Sequence, residues 1–197
     1  MRTIRLACAA DAEAISRIYA PYVADTATSF ETEPPTASEI AGRVVETLAS
    51  HPWIVYDENG VVGGYAYATK HRARSAYQWS TEVSVYVAET FRRRHIGQAL
   101  YTSLFAILGA QGFVNAYAGI TLPNAASVRL HESLGFEPVG VYRRIGYKLG
   151  SWHDVGWWQL ALAPYPASPA PPQPLAAVNR RDALDGLLAR GLSRVSA

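Results

Sequence analysis

Apolar positions along the first 160 residues switch between two rhythms. Ile4 and Leu6 flank Arg5 in the two-residue period of a strand, and Asp11 then precedes Ile15, Ile18, Tyr19 and Tyr22 at helical spacing. Ile40, Val44 and Leu48 fall four apart, which predicts a second helix capped by Ser38 and ended by Pro52. Residues 53–56 and 61–69 are strand-like and flank Asp57, Glu58, Asn59 and Gly60; an Asn-Gly pair tolerates positive φ at both positions, so a hairpin is expected. Residues 79–88 form a further strand pattern. A basic stretch follows, then a helix with Ile96, Leu100, Leu104 and Leu108 on one face, closed by Gly112 in a left-handed cap. Residues 113–122 read as a strand, 124–133 as a helix closed by Gly135, and 136–144 and 154–162 as two last strands. The order is that of a mixed α/β domain.

The rhythm stops after Leu162. Pro164, Pro166, Pro169, Pro171, Pro172 and Pro174 make an extended linker that cannot enter a sheet interior. Beyond it, Leu184, Leu187, Leu188 and Leu192 stand at helical spacing among arginines, a marginal helix or, as the favoured expectation, a weakly ordered tail. The expected division is a compact domain over 1–163, a linker over 164–174 and a tail over 175–197.

Composition narrows the class of function. The 197 residues carry 18 basic and 16 acidic side chains, a net charge of +2, which is far from the strongly basic balance of a nucleic-acid binder. No stretch approaches the roughly 20 apolar residues of a membrane span, and Arg2 and Arg5 precede no signal-like apolar run. A cytoplasmic protein with neither nucleic-acid nor membrane partners is expected. One cysteine, Cys8, excludes an intrachain disulfide and an all-cysteine metal site, and no metal is expected.

The informative unit is the strand at Val83, the loop from Arg92 to Gly97 and the helix after it. The first N–H groups of a helix lack internal partners and lie at its positive end, so a basic loop entering a helix suits a phosphate group. The same three arginines, Arg92, Arg93 and Arg94, read equally as a solvated charge run.

This segment resembles the coenzyme A loop of the GNAT superfamily, where two glycines separated by one residue precede an apolar helix face. Gly97 supplies the second; His95 stands in place of the first. Asn124, Ser127, His131, Gly135 and Phe136 resemble the superfamily's second signature. The resemblance sharpens to the phosphinothricin acetyltransferase family in several runs: Phe30 with Thr32, Glu33 and Pro34; Pro52-Trp53; Arg74 with Ala76, Tyr77 and Trp79; Glu82 with Val85-Tyr86-Val87; Leu122-Pro123-Asn124; His131-Glu132; and Lys148 onward through Trp152-His153-Asp154-Val155-Gly156 to Gln159. It covers the chain from Ile4 to Leu162.

That resemblance implies a GNAT fold, a mixed sheet of six to seven strands flanked by about four helices and splayed at the coenzyme site. It implies acetyl-CoA as co-substrate, a small amino-acid-like acceptor and a homodimer. Glu82 matches the general base that takes a proton from the acceptor amine; without the family it reads as a strand glutamate facing solvent or an arginine. His131 matches a site histidine, proton donor or substrate ligand. The coenzyme residues carried over are Val85, Tyr86 and Val87 on the strand; Arg92, Arg93, Arg94, His95, Ile96, Gly97 and Gln98 in the loop; and Asn124, Ser127 and Ser133. Those for the acceptor are Phe30, Arg72, Arg74, Tyr77, Thr121 and Val155, the two arginines suiting a carboxylate or phosphinate. Two alternatives stand beside this reading, a non-catalytic acyl-CoA-binding module and an enzyme acting on a different amine.

Overall fold

The structure, a computed structural model, describes residues 1–179 and 183–196; positions 180–182 and 197 of the expected tail lie outside the described residues. Seven strands form one sheet in the order β1-β2-β3-β4-β5-β7-β6. The strands are β1 (Arg2–Leu6), β2 (Trp53–Glu58), β3 (Val61–Lys70), β4 (Ser80–Val87), β5 (Asn115–Leu122), β6 (Glu137–Lys148) and β7 (Ser151–Ala161). All neighbours are antiparallel except β4 and β5. The predicted Asn-Gly turn joins β2 to β3, with φ of 55° at Asn59 and 84° at Gly60.

Alternation along the strands makes two cores. Trp53, Val55 and Tyr65 pack under α1 (Ala12–Ala24) and α2 (Ala37–Leu48). Ile54, Tyr56, Ala66 and Ala68 face α3 (Ile96–Gln111) on the other side. α4 (Ala125–Ser133) follows β5. The cap of α2 is Thr36 and not the expected Ser38: the Thr36 hydroxyl accepts from Glu39 N–H at 3.2 Å while the Glu39 carboxylate accepts from Thr36 N–H at 2.7 Å, a reciprocal box that Ser38 would need a partner at 41, an alanine, to build.

The C-terminal segment departs from the favoured expectation of a weakly ordered tail. α5 (Leu175–Asn179) and α6 (Leu184–Ala189) lie against α3 and bury Leu175, Val178, Leu184, Leu187 and Leu188 in its core cluster. The cause lies in α3. Beside the predicted stripe of Ile96, Leu100, Leu104 and Leu108, it also buries Ala99, Ser103 and Ile107, and a helix apolar on more than one face needs a second cover. The contact is close: Ser103 Oγ donates to the Leu188 carbonyl at 2.6 Å and accepts from Gly191 N–H at 3.0 Å. A Cβ at Gly191 would fall 1.9 Å from the Ala99 carbonyl oxygen. The proline-rich stretch is fastened too, through Trp79 Nε1 to the Ala170 carbonyl at 2.8 Å and Gln173 N–H to the Gln111 carbonyl at 2.7 Å. Among the described residues there are therefore six α-helices where about four are expected, the two extra ones lying past the region of resemblance.

Candidate active site

The one parallel pair in the sheet is also its shortest. β4 and β5 pair only at Ser80 with Asn115, Thr81 with Ala116 and Glu82 with Tyr117, and then diverge. The main-chain groups of β4 that face β5 beyond Glu82 pair with no strand, and the divergence opens a cleft. Val85, Tyr86, Thr121, Asn124, Ser127 and His131 from the sequence reading all line it, joined by Ser84, Tyr101 and Gly119. Val87 lies beyond it, its carbonyl accepting from the Tyr22 hydroxyl at 2.8 Å. Glu82 does not line the cleft but stands at the fork, the last paired position of β4.

Strand parity sets which side Glu82 serves. It pairs with Thr69 as Ser84 does with Tyr67 and Tyr86 with Tyr65, so all three lie on the α1–α2 face of the sheet. There His71 Nδ1 lies 2.9 Å from Glu82 Oε1, and Arg72 Nη1 lies 4.0 Å from the same oxygen. The Arg72 guanidinium also rests 6.0 Å from the centre of the Trp157 ring. Tyr77 meets the edge of the His71 ring at 6.0 Å. Arg74 opens the short 3₁₀ turn Ser75–Tyr77, exposed and without an ion pair among the described residues. Phe30 covers Gly146, where a side chain would run into its ring, and lies 6.3 Å from His153. Val155 pairs with Thr121 across β5 and β7. The structure thus gathers Arg72, Tyr77 and Glu82 at the fork, and sets Phe30 on the β6–β7 hairpin.

At the other end of β4 the loop enters α3 with Arg93 at φ 61° and His95 at φ 58°, both left-handed. The family's glycine position therefore has the backbone for which glycine is suited, and His95 adopts it at a cost of about 1 kcal/mol. His95 caps nothing with its side chain; its Nδ1 instead lies 3.0 Å from Gln98 Oε1, and Gln98 Nε2 donates to Ser133 Oγ at 3.0 Å. Gly97 also has a packing reason, since a Cβ there would come within 3.2 Å of Leu130 on α4. Arg92 stacks on Tyr22, 5.6 Å from the ring centre. Arg94 is engaged elsewhere: it donates to Glu58 at 2.8 Å, and with Arg2 holds that carboxyl at a pKa of about 2.

His131 is buried, and both ring nitrogens are satisfied. Nδ1 lies 2.8 Å from the Ser127 carbonyl, which can only accept, so Nδ1 carries the proton and Nε2 accepts from the Tyr101 hydroxyl at 3.1 Å. Burial holds the imidazole below its ordinary pKa, only partly opposed by the Ser127 carbonyl, and burial pushes the Tyr101 phenol up. Asn124 caps α4 by accepting from Ser127 N–H at 3.1 Å, and its NH₂ group has no protein partner among the described residues. Lys148, noted in the sequence only within a matching run, is buried with Nζ donating to the Val23 and Ser29 carbonyls at 2.5 and 2.7 Å. It ties the β6–β7 hairpin to the loop carrying Phe30. His71 and Tyr101 escaped the sequence reading altogether. Parity offered a signal for His71, two positions past Thr69 and so on the face of Glu82.

Among the described residues no cluster of histidine, cysteine, aspartate and glutamate could hold a metal ion, and no helix is long and apolar enough to cross a membrane.

A family model described as an acetyltransferase (GNAT) domain matches residues 4–157. A phosphinothricin N-acetyltransferase of Streptomyces viridochromogenes is 43% identical over 177 residues, covering 90% of this chain and 94% of that protein. An L-methionine sulfoximine/L-methionine sulfone acetyltransferase of Salmonella typhimurium is 36% identical, covering 85% and 99%. The solved phosphinothricin acetyltransferase of Sinorhizobium meliloti, in complex with acetyl-CoA, superposes with a TM-score of 0.81 at 36% identity, covering 86% of this chain and 93% of that one.

Proposed function

The chain belongs to the GNAT acetyltransferase family, and on that premise we propose that it moves the acetyl group of acetyl-CoA to the α-amino group of a small amino-acid-like acceptor. Phosphinothricin, methionine sulfoximine and methionine sulfone are the acceptors in view. The observation that carries the reading is the place of Glu82 at the fork of β4 and β5, beside Arg72. An α-amine is mostly protonated at pH 7 and must lose a proton before it attacks a thioester. Glu82 takes that proton, directly or through a water. Unpaired N–H groups of β4 beyond Glu82 are then available to the oxygen that gains charge. Arg72 and Arg74 offer guanidinium groups to the acceptor's acid groups.

For the co-substrate, the cleft lined by Val85, Tyr86, Asn124 and Ser127 suits the pantetheine arm, with the free Asn124 NH₂ as a donor. The start of α3 with Arg92 and Arg93 suits the pyrophosphate. His131 lines the same cleft and fixes the direction of the Tyr101 hydroxyl.

Two copies meet, in this reading, at the outer hairpin, where Val139, Val141, Ile145, Tyr147 and Trp152 are exposed on the sheet's last strands. Light scattering at micromolar concentration checks the assembly. Thiol release from acetyl-CoA over a panel of amino acids tests the activity. Turnover confined to acceptors with an acid, sulfoximine or sulfone group is expected. Coenzyme binding without turnover on any amine would make the protein a binding module instead.

A further inference from the structure

Glu82 does not stand alone. Its Oε1 lies 2.9 Å from His71 Nδ1, and an ionised carboxylate only accepts hydrogen bonds, so the proton in that contact sits on Nδ1. The imidazole is itself held. It stacks on Tyr117 with centroids 4.6 Å apart and planes 15° from parallel, and the edges of Tyr77 and Trp157 close on it at 6.0 Å each. Its side chain is 13% exposed, against 33% for Glu82. A ring so confined cannot follow the carboxylate if it swings away; the carboxylate follows the ring.

We propose that His71 is the positioning residue of this site: Nδ1–H keeps the Glu82 carboxylate aimed at the fork. The inference rests on the reading of Glu82 as the base. The other charged and titratable groups facing the carboxylate are Arg72 from the loop, Tyr67 from β3, Tyr117 from β5 and Tyr77 from the 3₁₀ turn. Only Arg72 carries charge at neutral pH. It is 4.0 Å away and 46% exposed, so solvent screens it, whereas the His71 contact is shorter and sheltered. Hence the imidazole, not the guanidinium, sets where the carboxylate points. Nε2 has no protein partner among the described residues, so the contact through Nδ1 is the ring's hydrogen bond to the protein.

The test compares His71→Phe, which keeps a ring but no donor, with His71→Asn, whose amide N–H can replace Nδ1–H. Both are measured from pH 5.5 to 9 with the preferred acceptor, alongside Glu82→Gln. His71→Phe is expected to lose about tenfold in kcat, as befits a lost hydrogen bond to a charged group, at unchanged acetyl-CoA affinity. His71→Asn should recover most of that loss. No loss in His71→Phe, or equal losses in both variants, overturns the proposal while Glu82 keeps its role. If Glu82→Gln itself retains the wild-type kcat, the base assignment fails and this inference with it.

Discussion

The Tyr101 hydroxyl donates to His131 Nε2 at 3.1 Å, inside a cleft wall where the other imidazole nitrogen already donates to the Ser127 carbonyl. Burial disfavours the charged ring. Unfolded, the same ring accepts a proton near pH 6.5. Below about that value the unfolded chain binds a proton that the fold refuses, so stability falls as pH drops from about 6.5. His51, pushed down first by burial and then by Lys70, acts in the same direction. Melting temperatures between pH 7.5 and 5.5 should therefore decline, and His131→Gln should flatten the decline to the share left by His51. An unchanged slope in that variant would show that the ring takes up a proton as readily in the fold as in the unfolded chain.

His95 holds a left-handed backbone at φ 58° in the loop that enters α3. Glycine adopts that conformation without the Cβ penalty, so His95→Gly should leave acetyl-CoA binding alone or tighten it at both pH 6 and pH 8. A loss of affinity confined to pH 6 would mean that a protonated imidazole contacts a phosphate. Calorimetric Kd values at the two pH values separate these outcomes.

The three arginines of that loop are not equivalent. Arg94 is paired with Glu58, whereas Arg92 lies on Tyr22 and Arg93 has no ion pair among the described residues. Replacing Arg92 and Arg93 together by alanine should weaken acetyl-CoA more than the acceptor, and Arg94→Ala should lower the melting temperature slightly with little change in coenzyme Kd. The reverse ranking by calorimetry would place the pyrophosphate on Arg94.

Gly191 approaches the Ala99 carbonyl so closely that any side chain must push α3 and the C-terminal segment apart. Gly191→Ala should lower the melting temperature by roughly 4–8 °C, corresponding to about 2 kcal/mol of overpacking in a chain of this size. Truncation after Pro174 should lower it further, since Leu175, Val178, Leu184, Leu187 and Leu188 all leave the core. A truncated protein as stable as the full chain would contradict the packing described.

Most of the fold was legible because its strands and helices keep a clean period, and Asn59-Gly60 and Gly112 mark a turn and a helix end that geometry demands. The C-terminal helices were not. α5 and α6 are short and marginal by themselves, and what orders them is the second apolar face of α3, a tertiary fact that no local window contains. As candidates, Asn124, Ser127 and His131 were legible through motif spacing and Glu82 through the family resemblance alone; the first three line the cleft and Glu82 stands at its fork. Arg94 was misleading in company with Arg92 and Arg93, because its partner Glu58 lies 36 residues away. His71 was missed for a related reason: its meaning comes from the antiparallel register that sets Thr69 against Glu82, not from its sequence neighbours.

Glu82→Gln tests the account most directly. The amide keeps the shape of the carboxylate but cannot take the proton from the acceptor amine, a role commonly worth about 10²–10⁴-fold. With the preferred acceptor and saturating acetyl-CoA, kcat at neutral pH should fall within that range while the Kd for acetyl-CoA, measured by calorimetry, stays within about twofold. A kcat equal to wild type across pH 6 to 9 would contradict the assignment of Glu82 as the base at the fork of β4 and β5.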